Sequence, residues 1–410
     1  MDRLSQFIKK YKVVIFLSCF SFVIRLFVIG MVKTPIESDF KTIYDASVEI
    51  INGTNFYKSS TYFLTWAYQM GHVLYQSLLL SLINSVTFLK VVNSFITSLI
   101  VVFIYLIGKM ISSERVAFIV SILYSIFLFP LLLNTVLTNQ HLPVLLTLIS
   151  IYILININYD KYLFKSLFVG VLLGISNILR SEGIVIIAAI FVYSLYLIIK
   201  KYNYKKIIIS FVLIVSSYFL VFNGTSFILE KTNISSNGLK NMNPTWKFVL
   251  GFNYDTNGMY SEDDAILYAN DKEKAKDIVI ERVKDYKKIP MLFIKKSKIL
   301  WFNSDLSWSL GYISDSLIYK ILNIINQVFI IGFDLLAIVG IYSLFKNKDK
   351  ILVLVSLILF MYFGVYLLIE VMPRYAYSLQ VFEAILACSG LNTLCNILFN
   401  KIGKLITMRK

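Results

Sequence analysis

Charged residues are scarce in this sequence. They make up only 16% of its 410 residues, whereas 58% are hydrophobic and the mean hydropathy is +0.73. Apolar stretches long enough to cross the hydrocarbon core of a bilayer recur from end to end, which excludes a soluble globular protein. The composition therefore predicts an all-α polytopic membrane protein.

Histidine and cysteine are also scarce. The two histidines, His72 and His141, lie far apart in the sequence, which argues against a histidine-based transition-metal site. The three cysteines, Cys19, Cys388 and Cys395, all fall within apolar segments. Neither a disulfide framework nor a zinc site is therefore indicated.

The charge that is present is mostly positive. Lysine and arginine number 40 against 24 acidic residues, which gives a net charge of +16. The lysines form short clusters between apolar segments, and this is how membrane proteins encode orientation. We interpret the charge as topology, with the lipid bilayer as a partner and no role in binding nucleic acid.

The apolar segments predict about ten spanning helices. Seven come first, at roughly Val13 to Val32, Leu89 to Ile107, Val116 to Leu133, Leu142 to Ile157, Leu163 to Ile178, Ile184 to Ile199 and Ile207 to Phe227. Three more follow, at roughly Ile321 to Phe345, Ile351 to Ile369 and Ala376 to Phe399. We expect an N-terminal membrane module at 1–228, with a first outer loop at 33–88. An extracytoplasmic region at 229–319 and C-terminal spans at 320–410 would complete the chain.

The segment from Trp66 to Val86 decides the topology. Counting it as a span would separate the later lysine clusters from the N-terminal one by the width of the membrane, against the positive-inside rule. If it lies along the outer interface instead, every lysine cluster is cytoplasmic together with both termini. We expect the active site to be built by the outward regions, namely the first outer loop, Asn134 to His141, the turn around Arg180 and Glu182, the region from Leu229, and the turn around Glu370 and Arg374.

Two carboxylates follow the first span, in the run Glu37-Ser38-Asp39-Phe40. Residues of these types also begin helices for purely local reasons. A carboxylate held at a membrane face can nevertheless take a proton from an acceptor hydroxyl that attacks a lipid-borne donor. Asp39 is our first candidate for this base and Glu37 the second. We predict no cofactor, although Asp39, Glu37 and Asp255 carry oxygen ligands of the kind that bind divalent ions.

Basic side chains are the candidates for meeting a carrier phosphate. Fixed positive charge stabilises such a leaving group without a proton. Arg374 is held by Pro373 and is followed by Tyr375, and we expect both Arg374 and Tyr375 at the site. Lys296 and Lys298 are further candidates, for which contact with lipid headgroups is the simpler explanation.

Four further residues are candidate substrate ligands. Arg180 and Glu182 either pair with each other across a tight turn or face a cavity as ligands. Trp246 and Asn253 belong to an aromatic and amide-rich cluster of the kind that binds sugar rings. An ordinary compact loop would explain the same residues.

The order of these features resembles the GT-C superfamily of membrane glycosyltransferases. The features are a spanning helix, Glu37-Ser38-Asp39, an interfacial aromatic segment, further spans, an outer region with Gly251-Phe252-Asn253, and a late Arg374-Tyr375. More closely, the chain resembles the bacterial branch related to protein O-mannosyltransferases and aminoarabinose lipid A transferases, which is family 39-like. It departs from those relatives in having Tyr68-Gln69-Met70-Gly71-His72 where they often have a proline pair, and in its short outer region.

The resemblance implies a reaction. A sugar would pass with inversion from a polyprenyl-phosphate donor to an acceptor hydroxyl on the outer face of the cell membrane. The acceptor would be an envelope glycopolymer, a glycolipid or an exported protein. The acidic residue that serves the acceptor in that family carries over to Asp39, or to Glu37, and the basic residues near the phosphate carry over to Lys296 and Arg374.

Two other functions fit the same general architecture. A Wzy-type polysaccharide polymerase would also have about ten spans, but typically places key basic residues in paired large outer loops. A lipid-linked sugar flippase or transporter would usually show internal repeats, and we find none. One large outer loop and an early carboxylate site favour the transferase.

Overall fold

The computed structural model describes the backbone of residues 2–157, 161–270, 272–347 and 349–407. It describes side chains for residues 11–157, 161–268, 274–345 and 349–398. Within this part of the chain there are nineteen α-helices and no β-strand, apart from one isolated bridge between Trp66 and Asn241. The prediction of an all-α membrane protein is confirmed.

Eleven helices make up the first part of the chain. They are α1 (Asp2–Met31), α2 (Ser38–Ile51), α3 (Thr61–Thr65), α4 (Met70–Leu82), α5 (Val86–Ile111), α6 (Glu114–Ser125), α7 (Leu128–Leu133), α8 (His141–Ile155), α9 (Tyr162–Leu179), α10 (Gly183–Ile199) and α11 (Tyr204–Lys231). Eight helices follow. They are α12 (Trp246–Gly251), α13 (Glu262–Asn270), α14 (Lys272–Lys284), α15 (Ile289–Trp301), α16 (Ser307–Leu310), α17 (Leu317–Asn347), α18 (Lys350–Leu368) and α19 (Ala376–Thr407).

Seven helices in the described residues are long and apolar enough to cross a membrane. They are α1, α5, α9, α11, α17, α18 and α19, and α8 and α10 are shorter apolar helices. Nine of the ten predicted spans therefore each coincide with one apolar helix, although α1 begins well before its predicted span and α19 ends well after its own.

The third predicted span, Val116 to Leu133, is divided between α6 and α7. Pro130 explains the division, because its ring would clash with the carbonyl of Ile126 in a continuous helix. The chain instead becomes extended at Phe127, and the N–H of Phe129 donates to Oδ1 of Asn326 at 2.8 Å. A hydropathy pattern averages over such a break and does not show it.

The spanning helices pack closely where glycines face a neighbouring backbone. On α17 and α19, a Cβ atom on Gly340 would lie 2.2 Å from the carbonyl oxygen of Leu386. One on Gly390 would lie 1.9 Å from that of Leu336. Only glycine permits this approach, which is the usual means of association between helices in a membrane.

The first outer loop folds back onto the helical bundle. Phe40, Ile43 and Ala46 on α2 are buried, and Oγ of Ser47 donates to the Val73 carbonyl of α4 at 3.1 Å. Helix α4 in turn packs on α9, where a Cβ atom on Gly71 would overlap the backbone of Ile178. This packing fixes the start of α2, which carries Asp39, over the helix ends.

Candidate functional site

A large cavity lies at one end of the bundle. Its volume is about 1320 Å³, and all five regions that the lysine pattern groups on one side contribute to its lining. They supply, for example, Asp39, Asn139, Arg180, Trp246 and Arg374. Because these residues come from distant parts of the sequence, the cavity is a product of the helix packing.

Asp39 and Arg374 form the first charged pair on this cavity. Nη2 of Arg374 lies 3.9 Å from Oδ2 of Asp39, so their charges attract without a direct hydrogen bond. The side chain of Arg374 is 11% exposed and that of Asp39 is 46% exposed. Asp39 therefore presents a carboxylate to the cavity beside a buried positive charge.

Arg374 is held by aromatic rings. Its Cζ atom lies 4.1 Å from the ring centre of Trp308 and 5.0 Å from that of Phe40. Its Nη1 atom is buried and has no hydrogen-bond partner among the described residues. A buried guanidinium N–H without an acceptor is costly, and an anionic ligand would satisfy it.

The backbone is strained immediately before Asp39. Ser38 has φ of 54° and begins α2, with Glu37 as the preceding cap residue in an extended conformation. A serine in the left-handed region is uncommon, and such residues often occur at functional sites. The structure thus gives the start of α2 a specific geometry rather than an ordinary helix cap.

Lys247, Glu370 and Tyr375 form a second charged group. Lys247 and Glu370 are ion-paired, and Oη of Tyr375 donates to Oε2 of Glu370 at 3.0 Å. Burial opposes the charged form of Lys247, but Tyr375 and Glu370 raise its pKa above the usual lysine range. Lys247 is therefore positively charged at neutral pH.

Arg180 and Glu182 combine the two arrangements that the sequence allows, an ion pair across a tight turn and a position on a cavity. They pair with each other, and both also line the cavity. Nη1 of Arg180 donates to Oδ1 of Asn139 at 2.8 Å, and Oη of Tyr366 donates to Oε1 of Glu182 at 3.1 Å. The pair is consequently fixed from two sides.

One side of the cavity is apolar. We call it the apolar wall, and it consists of side chains from α10, α11 and α18, namely Ile184, Val185, Phe219, Phe222 and Val365. Ile184 is 50% exposed and Phe219 is 42% exposed although both belong to apolar helices. The cavity therefore joins a charged end, formed by Asp39, Lys247, Glu370, Arg374 and Tyr375, to an apolar wall built on helices of the membrane bundle.

Tyrosines complete the lining near Asp39. Burial raises the pKa of Tyr62, and so does the negative charge of Asp39. Burial also raises the pKa of Tyr68. Both phenols stay protonated at neutral pH and can act as hydrogen-bond donors.

The structure places four of the predicted site residues away from the cavity lining. Glu37 is exposed at the cap of α2, and Lys298 is exposed on α15. Asn253 is buried, where its Oδ1 accepts from the N–H groups of Asp255 and Thr256 and its Nδ2 donates to Asp264. Its amide thus stabilises a turn.

Lys296, the fourth of these residues, is fully buried. Its Nζ donates to the carbonyl oxygens of Gly251 at 2.9 Å, Leu367 at 2.7 Å and Ile369 at 2.6 Å. Burial lowers the pKa of Lys296 to about 7, against the opposing charge of Glu370. The structure therefore shows Lys296 holding backbone segments together, and we do not include it in the proposed site.

Sequence analysis missed several residues that line the cavity, notably Lys247, Trp308, Tyr62 and Tyr366. Trp308 lies far from Arg374 in the sequence, so nothing local predicts their contact. Lys247 follows Trp246 directly, and its adjacency to a predicted ligand was the one usable signal.

A divalent-ion site formed by Asp39, Glu37 and Asp255 has no support in the described residues. No group of three or more His, Cys, Asp or Glu side chains in that part of the chain is arranged to hold a metal ion. Of these three residues only Asp39 lines the cavity.

Comparison with known proteins identifies the fold. No protein-family model and no curated protein matches the sequence. The chain is similar to the archaeal oligosaccharyltransferase AglB from Archaeoglobus fulgidus in complex with an inhibitory peptide and a dolichol-phosphate, with 11% identity and a TM-score of 0.55. That alignment covers 98% of this chain and 52% of the other.

A second similar structure is that of the Archaeoglobus fulgidus oligosaccharyltransferase in the apo form. It has 14% identity and a TM-score of 0.59, and the alignment covers 97% of this chain and 52% of the other. The chain thus spans about half the length of the solved structures it matches. At this identity the similarity shows a shared fold and nothing further.

Proposed function

We propose that this protein is a membrane glycosyltransferase that moves a sugar from a polyprenyl-phosphate donor to an acceptor hydroxyl. The observation that carries the proposal is the continuity of the cavity between the apolar wall and the charged end. A donor of this class has the matching chemistry, because a hydrocarbon chain, an anionic phosphate and a polar sugar follow one another in one molecule.

The donor would bind with its chain along the apolar wall and its phosphate at Arg374. The buried and unpartnered Nη1 of Arg374 supplies a donor for a phosphate oxygen. Lys247 lies at the same end of the cavity, where it is ion-paired with Glu370. The sugar would then lie beside Asp39.

In the proposed reaction, the acceptor hydroxyl oxygen attacks the anomeric carbon of the donor sugar. A new glycosidic C–O bond forms, and the C–O bond to the carrier phosphate breaks. The hydroxyl proton passes to Asp39, and polyprenyl phosphate leaves with its charge stabilised by Arg374. Attack opposite the leaving phosphate inverts the anomeric configuration. Glu37, exposed at the cap of the same helix, is the second candidate for the base.

The comparisons support this class of donor without identifying it. One similar structure is an oligosaccharyltransferase bound to dolichol-phosphate, which is a lipid phosphate, and to an inhibitory peptide. By analogy we propose a lipid-linked donor and a glycopolymer, glycolipid or protein acceptor. The bacterial family 39-like branch and the division of the chain at residues 228 and 319 stay predictions.

A transfer assay tests the proposal. The purified protein in nanodiscs would be incubated with polyprenyl-phosphate sugars and a panel of envelope acceptors, and release of polyprenyl phosphate would be followed by mass spectrometry. We expect acceptor-dependent release by the wild type and a loss of at least about 100-fold in kcat for Asp39→Asn. Asp45→Asn is the matched control, because Asp45 lies on the same helix and pairs with Lys41 at the surface.

The outcomes separate the hypotheses. Wild-type turnover by a folded Asp39→Asn protein would remove the assigned base. Turnover only with diphosphate-linked oligosaccharides would indicate a polymerase. Movement of lipid-linked sugar across the bilayer without any transfer would indicate a flippase.

A further inference from the structure

A second part of the cavity lining has a different character from the charged end. We call it the aromatic end, and it is formed by Trp66, Asn241, Asn243, Trp246, Tyr260 and Tyr268. Trp246 and Tyr268 are almost fully buried with ring centres 5.1 Å apart, and Trp66 packs against them. Tyr260 is 49% exposed. Three of the aromatic side chains of this part of the lining are therefore held in place by packing in a buried hydrophobic cluster.

Asn243 belongs to the aromatic end and is 4% exposed. Its backbone N–H donates to Oδ1 of Asn241 at 2.9 Å, so its main chain is satisfied. Its side-chain Oδ1, in contrast, is buried and has no partner within the described residues. A buried amide oxygen without a donor is costly unless a ligand supplies one.

The position of Asn243 is fixed rather than adaptable. The N–H of Met242 donates to the carbonyl of Thr65 at 3.2 Å, and Asn241 forms the isolated bridge with Trp66. These contacts tie the segment to the first outer loop. The amide and the aromatic side chains are therefore arranged before any ligand binds.

Two residues that line the cavity, Arg374 and Asn243, thus each carry a buried side-chain atom without a partner in the described part of the chain, and one atom is a donor whereas the other is an acceptor. Nη1 of Arg374 is a donor and suits an anion, whereas Oδ1 of Asn243 is an acceptor and suits a hydroxyl. Aromatic faces pack against the C–H groups of a pyranose ring while amides bond its hydroxyls. Trp246 at the aromatic end precedes Lys247 at the charged end directly in α12, so the two ends are adjacent.

We infer that the aromatic end is a saccharide subsite, in which Asn243 accepts a hydrogen bond from a ring hydroxyl. The inference rests on the proposed function and specifies it further, because it assigns the binding of a sugar ring to named residues beside the charged end. The ring belongs either to the acceptor or to the donor, and the chemistry of recognition is the same for both.

Direct binding tests the subsite without relying on turnover. Saturation-transfer-difference NMR would be recorded on the full chain in nanodiscs with methyl glycosides of glucose, mannose, galactose and N-acetylglucosamine. We expect saturation of ring protons for at least one glycoside and binding about 5- to 30-fold weaker for Asn243→Ala. Asn237→Ala is the matched control, since Asn237 lies in the same loop, its side chain donates to the Leu64 carbonyl, and it does not line the cavity.

A conservative variant guards against misfolding. Asn243→Asp keeps an acceptor oxygen in the same place, so we expect it to retain most of the binding. The inference is overturned if no glycoside binds to the wild type, if Asn243→Ala and Asn237→Ala bind equally, or if Asn243→Asp is as defective as Asn243→Ala.

Competition identifies the source of the ring. Displacement of the glycoside by a polyprenyl-phosphate sugar, but not by polyprenyl phosphate, assigns the subsite to the donor. Retention of the glycoside in the presence of the intact donor assigns it to the acceptor. Either result supports a saccharide subsite. Failure of the transfer assay with Asn243-dependent glycoside binding would reject the proposed function and leave the subsite standing.

Discussion

At the scale of single residues, Arg374 carries the most informative combination of features. It is buried, its guanidinium lies 4.1 Å from the ring centre of Trp308, and it lies 3.9 Å from Asp39. Its unpartnered Nη1 leaves one bonding direction open. A charge held this firmly can meet an anion with little reorganisation, which is the condition for effective electrostatic stabilisation.

Replacing Arg374 tests this role. We expect Arg374→Gln to raise the KM for a polyprenyl-phosphate sugar by about 10- to 100-fold, because a charge-assisted contact with phosphate is lost. Lys41→Gln should leave this KM unchanged, since Lys41 is exposed and does not line the cavity. An unchanged donor KM in a folded Arg374→Gln protein would contradict the assignment.

At the scale of elements, Lys296 connects the three helices α12, α15 and α18. It belongs to α15, and its ammonium group bonds carbonyls at the end of α12 and at the end of α18. Next to it, the carbonyl of Gly258 accepts from the N–H of Val371 at 2.8 Å. These contacts fix the segment that carries Glu370 and Arg374 against the outer region.

Removal of Lys296 should therefore destabilise the packing that holds the segment with Glu370 and Arg374 in place. We expect Lys296→Met to lower the free energy of unfolding by roughly 2–4 kcal/mol, because buried carbonyls lose their donor. Lys295→Met is the matched control, since the neighbouring lysine is exposed on the same helix. Equal melting temperatures for the two variants in the same detergent would show that the contacts contribute nothing.

At the scale of the whole molecule, the five regions that meet at the cavity must lie on one side of the membrane. The opposite ends of the helices carry lysines. There, Nζ of Lys350 lies 4.5 Å from the ring centre of Tyr202, so the start of α18 contacts the turn between α10 and α11. The positive-inside rule predicts that the lysine side is cytoplasmic. We therefore propose that the cavity faces outward.

Labelling of single cysteines tests this orientation. In a background with the three native cysteines replaced by serine, we expect an impermeant maleimide to label Lys240→Cys in intact cells. It should label Lys201→Cys only after the membrane is opened. Lys240 lines the cavity and Lys201 follows α10 at the other end of the bundle. The reverse pattern would invert the proposed topology.

Much of the cavity lining was predictable because membrane topology is encoded locally. Hydropathy located the helices, and lysine clusters grouped the loops that contain Asp39, Arg180, Trp246 and Arg374. Side-chain neighbours were less predictable. Asn253 and Lys296 resembled ligands by type, yet each is bound to backbone groups of its own surroundings.

The sequence by itself determined the class of protein, the number and position of most helices, and the end of the bundle at which the cavity lies. These follow from the cost of placing charged or unpaired polar groups in hydrocarbon, which acts on each segment separately. Tertiary structure alone decided which cation meets Asp39, that Pro130 ends a helix within a predicted span, and that Asn243 and Arg374, which line one cavity, each carry a buried side-chain atom without a partner among the described residues. Such contacts depend on packing between segments distant in the chain, and no local pattern records them.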